Sequence, residues 1–168
     1  MTPQIILAPC SSEEGKENLQ KSIENLVETS TYDDYISVDL PGPVGIWGTG
    51  EQNSGKWERI KDGDFILFYT GDYNYEYAGR IIGKEINEDL AVRLWVDEDN
   101  ELAGPIGERS WKYLLFVSDI EEVDIDSEDL HRYAGYVRMF PMQFKFLPEK
   151  GVEKLVEEYG TVENYVYD

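Results

Sequence analysis

Two tryptophans in this sequence stand where an aromatic ring could meet a flat ligand. Trp47 lies in Val44-Gly-Ile-Trp-Gly-Thr-Gly50, between Gly45 and Gly48, with few neighbours to form an apolar stripe. Glycines beside a ring let a planar group reach its face. Trp95 ends the amphipathic run Asn87-x-x-Leu90-Ala91-x-x-Leu94-Trp95. The acidic stretch Val96 to Arg109 follows it and reads as an exposed loop, so this ring also stands at an element end. Two such rings at loop edges would make a slot for a planar base, and stacking one base on an aromatic contributes about 1–3 kcal/mol. The plain alternative is that both are core, since tryptophan buries a large surface. Trp57 and Trp111 each open a region with regular apolar neighbours and read as structural.

Other chemistry has little to work with. A single cysteine, Cys10, excludes an internal disulfide and a multi-cysteine zinc site. A single histidine, His131, falls on a predicted amphipathic turn. It is expected to be an exposed or half-buried surface group, which argues against a Ser-His-Asp or Cys-His set. There is no GxxxxGK[ST], no GxGxxG after a strand and no HExxH, so no cofactor and no metal site is expected. The lysine–carboxylate pairs Lys61 with Asp64 and Lys84 with Glu76 are the only visible machinery for a hydrolase. Lys56, Arg59 and Lys61 flank a turn before a buried strand, and Arg80 and Lys84 alternate on one face of its partner. These five are the candidates for phosphate contacts; their alternative is a solvated surface.

At 168 residues, 41% hydrophobic and 13% aromatic, the chain is expected to fold as one domain over residues 1–168 with a sizeable core. No apolar run approaches the roughly 20 residues of a membrane helix, and the N-terminus has no basic-then-apolar leader pattern. A cytoplasmic protein without membrane contact is therefore expected. With 35 acids against 15 bases, the net charge is −20 and the isoelectric point about 4.2. Such acidity works against phosphate binding, which neutralising cations drive. Either the partner is a protein or small molecule, or the acids are a general surface for a high-salt cytoplasm. There the Debye length is about 3 Å at 1 M, and a nucleic-acid binder would rely on stacking and pocket contacts.

The scaffold for these groups is partly legible. Phe65-Ile-Leu-Phe-Tyr69, bounded by Gly63-Asp64 and Thr70-Gly-Asp72, reads as a buried strand, and Tyr75 to Ile82 as its hairpin partner. Small Ala78 and Gly79 mark close approach or a barrel bend. Gln4 to Ala8 reads as a first strand. A capping box of Ser11 and Glu14 opens a helix to about Glu28, with Leu19, Ile23, Leu26 and Val27 on one stripe. Tyr35 to Leu40 alternates like a strand, and Glu51 to Lys56 reads as a flexible loop. Trp111 to Val117 is a buried strand, Ile120 to Ile125 an exposed edge or extended connection. Asp126 or Ser127 caps a short helix through Tyr133. Gln143 to Leu147 is a last strand, Pro148 starts a helix that Gly160 ends, and the tail 161–168 frays or packs its two tyrosines. About six strands with helices near both chain ends give an α+β class: a mixed sheet or small barrel flanked by helices.

Gly45-Ile-Trp-Gly-Thr49, the strand pair with Phe65-Ile-Leu-Phe68 and Ala78-Gly-Arg-Ile81, Leu94-Trp-Val96 and Trp111-Lys-Tyr-Leu-Leu-Phe116 together resemble the PUA-like superfamily. The resemblance is to its EVE and YTH branches and to the modified-DNA-reading N-terminal domains of McrB-type restriction systems. Leu7-Ala-Pro-Cys-Ser11, followed by a helix with Asn18, is similar to the last group. The likeness spans residues 4 to 147. It implies a small mixed PUA-like barrel of about six strands flanked by helices, without enzymatic activity. Such a module would bind a modified, methylated nucleobase, in DNA rather than RNA, flipped into an aromatic cage in a restriction or defence setting. A motor or nuclease partner would lie on another chain. In the YTH branch one cage tryptophan sits in a Gly-Val-Trp-Ser-Thr motif and a second follows the central hairpin; these look like Trp47 and Trp95. Base-edge readers by position are Ser11, Ser12 and Asn18, with the backbone near Gly48 and Thr49. Gly48 stands where that branch has serine. The alternatives are an ASCH-type hydrolase of a modified nucleoside, an RNA modified-base reader, and a protein-interaction domain using the acidic surface.

Overall fold

The computed structural model describes residues 2–95 and 111–167, so the loop expected over Val96 to Arg109 lies outside the described residues. Six strands, β1 (Ile5–Pro9), β2 (Gly45–Thr49), β3 (Phe65–Gly71), β4 (Asn74–Ile86), β5 (Tyr113–Asp126) and β6 (Lys145–Phe146), form one sheet in the order β2-β5-β4-β3-β1-β6. The sheet is mixed. β1 runs parallel to β3, with Ile5 opposite Phe65 and Ala8 opposite Phe68, whereas β1–β6, β2–β5 and β3–β4 are antiparallel. The described helices are α1 (Glu13–Leu19), α2 (Ser54–Glu58), α3 (Glu88–Trp95), α4 (Ser127–Tyr133), α5 (Glu149–Tyr159) and α6 (Val162–Tyr167). The α+β class expected from the sequence is observed.

Tertiary contacts divide the chain into two compact units. The first contains residues 1–16, 63–80 and 119–168. Its core joins Ile5, Leu7, Phe65, Leu67 and Tyr75 to Leu130, Leu155 and Val166. β1 is apolar along its whole length because both its faces are covered: the consecutive residues Ile5 to Ala8, which point alternately to either side, are all fully buried. Asp64, 4% exposed, fixes the start of β1 to β3: it accepts from the Gln4 backbone N–H and side-chain amide, each at 2.9 Å. Asp126 caps α4 by accepting from the N–H groups of Glu128 and Asp129, as its position before Ser127 suggested. The last turns do not fray into the core's absence: α6 buries Val162 and Val166 and sets Tyr167 edge-on to Phe65.

His131 corrects the sequence reading. It is fully buried, with Nδ1 3.0 Å from the Arg138 carbonyl and Nε2 2.7 Å from the Tyr75 hydroxyl. A carbonyl only accepts, so Nδ1 carries the proton and Nε2 accepts from Tyr75. Burial lowers the histidine's pKa below its ordinary value and raises that of the Tyr75 phenol. A helix turn with polar neighbours hid a partner on a distant strand.

The second unit contains residues 17–62 and 81–118, with Val44, Ile46, Leu90, Trp95, Leu114 and Phe116 in its core. The expected long helix stops early. Ser12 rather than Ser11 provides the cap, accepting from the Gly15 N–H at 3.0 Å. After α1 the backbone widens into a π-helical turn, Gln20–Glu24, closed by the Asn25 N–H on the Gln20 carbonyl. The helix ends there: Asn25 is extended, Val27 pairs with Val44 as an isolated bridge, and Leu26 between them leaves the expected apolar stripe and is 51% exposed. Tyr35 to Leu40 is not a strand. Its alternation is irregular chain packing Ile36 and Val38 onto the core, with the Ser37 N–H bonded to Glu85. Glu51 to Lys56 is a 3₁₀ turn leading into α2 rather than a loop. Ile120 to Ile125 continues β5 without a break.

Candidate nucleic-acid interface around β2

Trp47, Gly48 and Thr49 form the second half of β2, and Trp95 closes α3. Asn87 starts that helix: its side chain accepts from the Leu90 N–H at 2.9 Å, and its amide donates to the Tyr35 carbonyl. Leu90, Ala91 and Trp95 then fall on the buried face, which carries the Trp95 ring to β2. A Cβ built on Gly48 would lie 2.7 Å from Trp95 Cζ3 and 2.8 Å from Trp111 Cβ, and closer still to the Trp111 carbonyl oxygen. Gly48 is glycine because two indole residues occupy its place. The open space that the sequence suggested beside this residue is filled by the protein itself.

Side chains alternate along a strand. Ile46 and Gly48 face the layer in which Trp95 packs; Trp47, opposite Leu115, faces the other way. The two indoles therefore flank β2 in this structure, and they are 8% and 7% exposed. Trp95 is also anchored by its ring nitrogen, which donates to Ser22 Oγ at 3.0 Å. The Ser22 hydroxyl in turn donates to the Ile46 carbonyl at 2.5 Å. Trp95 meets Trp111 edge-on, with centroids 6.2 Å apart. Ser22 is the positioning residue that the sequence analysis missed. The available signal was a polar pair, Asn18 and Ser22, one turn apart on the buried side of a helix; both are buried, and the Asn18 carbonyl lies 3.1 Å from Ser22 Oγ.

The remaining predicted readers separate by unit. Thr49, 5% exposed, accepts from the Asn53 side chain at 2.7 Å and belongs with Asn18 to the second unit. Ser11 and Ser12 are exposed and belong to the first. Lys84 has a structural role: its ammonium donates to the carbonyls of Trp57 and Glu58 at 3.0 and 2.8 Å and lies 4.6 Å over the Trp57 ring. It thereby satisfies the C-terminal carbonyls of α2. Arg80 pairs with Glu163 at 3.0 Å and covers the Phe65 ring. Lys56 on α2 is half-buried, and Arg59 and Lys61 after it are exposed. Trp57 is structural, as expected, although on a helix: its ring nitrogen donates to the Leu114 carbonyl at 3.0 Å.

Cys10 is buried, its thiol pushed up to about 12 by burial and then by Glu76, so it stays protonated and donates to the Tyr69 carbonyl. A cleft of about 760 Å³ in the first unit is lined by Glu121, Glu122, Asp124, Asp126 and Asp129 against Arg132 and Lys154, a net negative field that disfavours phosphate. Among the described residues, no cluster of His, Cys, Asp or Glu could hold a metal ion, and no helix is long and apolar enough to cross a membrane.

No protein-family model matches the sequence, and no curated protein matches it as a relative. Solved structures do match. The N-terminal domain of Thermococcus gammatolerans McrB bound to m5C DNA superposes with a TM-score of 0.67 at 16% identity, over 92% of this chain and 96% of that one. The fold is PUA-like. Two YTH domains share it with a TM-score of 0.50. One is from Zygosaccharomyces rouxii MRB1 in complex with N6-methyladenosine RNA, at 14% identity over 94% of this chain and 89% of that one. The other is the Pho92 YTH domain in complex with m6A, at 13% identity over 95% and 85%. These three neighbours were solved with a modified nucleic acid or m6A, DNA in one and RNA in another. The sequence resemblance had pointed to this fold through residues now seen on β2, β3, β4, α3 and β5.

Proposed function

We propose that this chain is a binding module for a modified, methylated nucleobase, taken out of its stack and held by Trp47 and Trp95, in DNA rather than RNA. The observation that carries the reading is the fold match over nearly all of both chains to a domain solved with m5C DNA. Trp47, Gly48 and Thr49 on one short strand, with Trp95 against it, are its local support. Both rings are covered and lie on opposite faces of β2, so they hold one base only if Trp95 leaves the Gly48 space and passes round the free edge of this edge strand to the Trp47 face. Asn18 and Thr49 read the base edge, and Ser11 and Ser12 are separate polar contacts. Lys56, Arg59, Lys61, Arg80 and Lys84 supply the phosphate contacts, Arg80 and Lys84 by exchanging the partners described above. A restriction setting, with motor and nuclease on another chain, follows from the same likeness.

Energetics set what such a site can do. Stacking contributes about 1–3 kcal/mol and extruding a base from a duplex costs a few kcal/mol. Burying one methyl adds roughly 0.8 kcal/mol, less than tenfold in affinity. Stacking therefore carries the affinity and the methyl selects. The few cations proposed for phosphate contacts sit on a chain of net charge −20, so little of the affinity should come from ion release and the salt dependence should be shallow. The test is a screen of matched DNA and RNA oligonucleotides differing only in base modification, at several salt concentrations. The expected result is a preference for one modified base in DNA that Trp47→Ala abolishes; because this ring is 8% exposed, the variant should also melt lower, so binding is compared well below its melting temperature. Unchanged affinity in Trp47→Ala overturns the reading, and equal binding of matched RNA moves it to the RNA alternative.

A further inference from the structure

We infer that the open edge of β5 from Ile120 to Asp126 is a docking site for an extended, basic segment of a partner protein, added to the sheet as a further strand. The residues that form it all lie in the first unit, and it does not depend on the base-reading function proposed above. β5 lies between β2 and β4 in the sheet, but β2 pairs with it only as far as Val117. Past that point β4 alone runs alongside among the described residues. Arg80 meets Asp119 at 3.8 Å, and the Ser127 N–H donates to the Tyr73 carbonyl at 2.9 Å. The Tyr167 hydroxyl donates to the Asp119 carbonyl at 2.9 Å, so the open edge starts at Ile120. Backbone groups turn to alternate sides along an antiparallel strand. With Ser127 bonded toward β4, Ile125 and Val123 turn their N–H and carbonyl groups the same way, and Glu122 and Asp124 turn theirs outward. An edge with unpaired groups of this kind is a template for another strand.

The surroundings of the edge select what can join it. The cleft of about 760 Å³ follows β5, and every residue from Glu121 to Asp126 lines it. A cleft over one face of a strand would meet alternate residues only, so this one runs along the edge. Its other wall is α4 to α6, with Tyr133, Tyr159, Tyr165 and Tyr167. Val123 and Ile125 turn to the core beneath that wall, whereas Glu122 and Asp124 are exposed on the opposite face. Of the described ion pairs, none includes Glu121, Glu122 or Asp124, while Arg132 is held by Glu128 and Asp129 at 3.5 and 3.9 Å. An incoming strand that alternates basic and apolar residues sets its cations opposite Glu122 and Asp124 and its apolar side chains against the tyrosines. Two copies of this edge would bring like charges face to face, and phosphate meets the same field, so neither a second copy nor a nucleic acid is its occupant.

The experiment titrates the full chain with a labelled peptide of alternating lysine and valine, with its fully N-methylated copy, and with a copy that has glutamate for lysine. The first should bind, more weakly as salt rises, and the other two should not. Asp124→Ala removes one charge and keeps the outward N–H, so affinity for the lysine peptide should fall about fivefold at most. Asp124→Pro also removes that N–H but no bond to β4, so affinity should fall about tenfold or more below that of Asp124→Ala. Equal affinity in the two variants overturns strand addition. So does equal binding of the N-methylated peptide by the wild-type chain, whether or not the proline variant folds. No binding of the lysine peptide, or equal binding of the glutamate copy, removes the basic partner. Displacement of the peptide by a duplex oligonucleotide, or a dimer that Asp124→Pro abolishes, overturns the assignment in favour of nucleic acid or a second copy.

Discussion

Gly48→Ala is the sharpest perturbation of the β2 site, because its effect can be worked from distances. The new methyl would sit 2.7 Å from the Trp95 ring and 2.8 Å from Trp111 Cβ, where carbon atoms prefer about 3.5–4.0 Å. The ring must retreat by about 1 Å, and the Trp111 backbone, whose carbonyl is nearer still, must also give. Overpacking a closed site of this kind costs about 1–3 kcal/mol. Losing the Trp95–Ser22 hydrogen bond adds about 1 kcal/mol. Each kcal/mol lowers the melting temperature of a chain this size by about 2–4 °C, so a fall of roughly 4–16 °C is expected by thermal denaturation. Tryptophan emission should shift to the red as the indole gains water. If Trp95 must leave this space before a base can enter, the variant has already begun that movement, and its affinity for the modified oligonucleotide should rise, by up to about tenfold for each 1.4 kcal/mol of displaced packing. Wild-type melting with unchanged emission would refute the packing account. Destabilisation without tighter binding would refute the movement of Trp95 and leave the packing intact.

Other expectations follow from groups outside that gap. His131 is the only histidine, and burial holds its pKa below 6.5 in the folded state. The unfolded chain then binds the proton first, so stability is full above about pH 6.5 and declines as pH falls below it; His131→Gln should flatten that slope in denaturant melts between pH 7 and 5. Ser22→Ala leaves the buried Trp95 ring N–H and the Ile46 carbonyl without their partner, and should cost about 1–3 kcal/mol in urea unfolding. Lys84→Met keeps the stem over Trp57 but removes the donors to the carbonyls of Trp57 and Glu58. A loss of about 1 kcal/mol is expected, with exchange of the α2 amides accelerated; unaltered exchange would return Lys84 to the list of phosphate contacts.

Elements that announce themselves locally were legible. Phe65 to Tyr69 is apolar throughout because strands cover both its edges and layers cover both its faces, and its bounding Gly-Asp signals are real turns. The stripe of α5 and its Gly160 stop are equally local. Readings failed where a residue's environment comes from elsewhere in the chain. Tyr35 to Leu40 has a strand's alternation but no strand beside it; its apolar residues are packing from irregular backbone. Leu26 has the right helical spacing, but the helix ends at Glu24 and the chain turns out to pair Val27 with Val44. His131 looked like a surface group because Tyr75, its partner, lies on another strand. At the candidate site, both tryptophans and Gly48 were picked out by type and position. Their arrangement about β2 was not, since which face each ring takes depends on strand register and on the hydrogen bond that Trp95 donates to Ser22, which no spacing rule shows.

The pairing of β1 bears on how this chain is made. Its neighbours in the sheet, β3 and β6, are both encoded downstream, one opening at Phe65 and the other at Lys145. During synthesis Ile5-Ile-Leu-Ala8 leaves the ribosome before either of them and has no strand to join until the chain has grown through Tyr69. For that interval it is a short, sticky, β-prone segment in water, the kind that chaperones capture and that seeds aggregation.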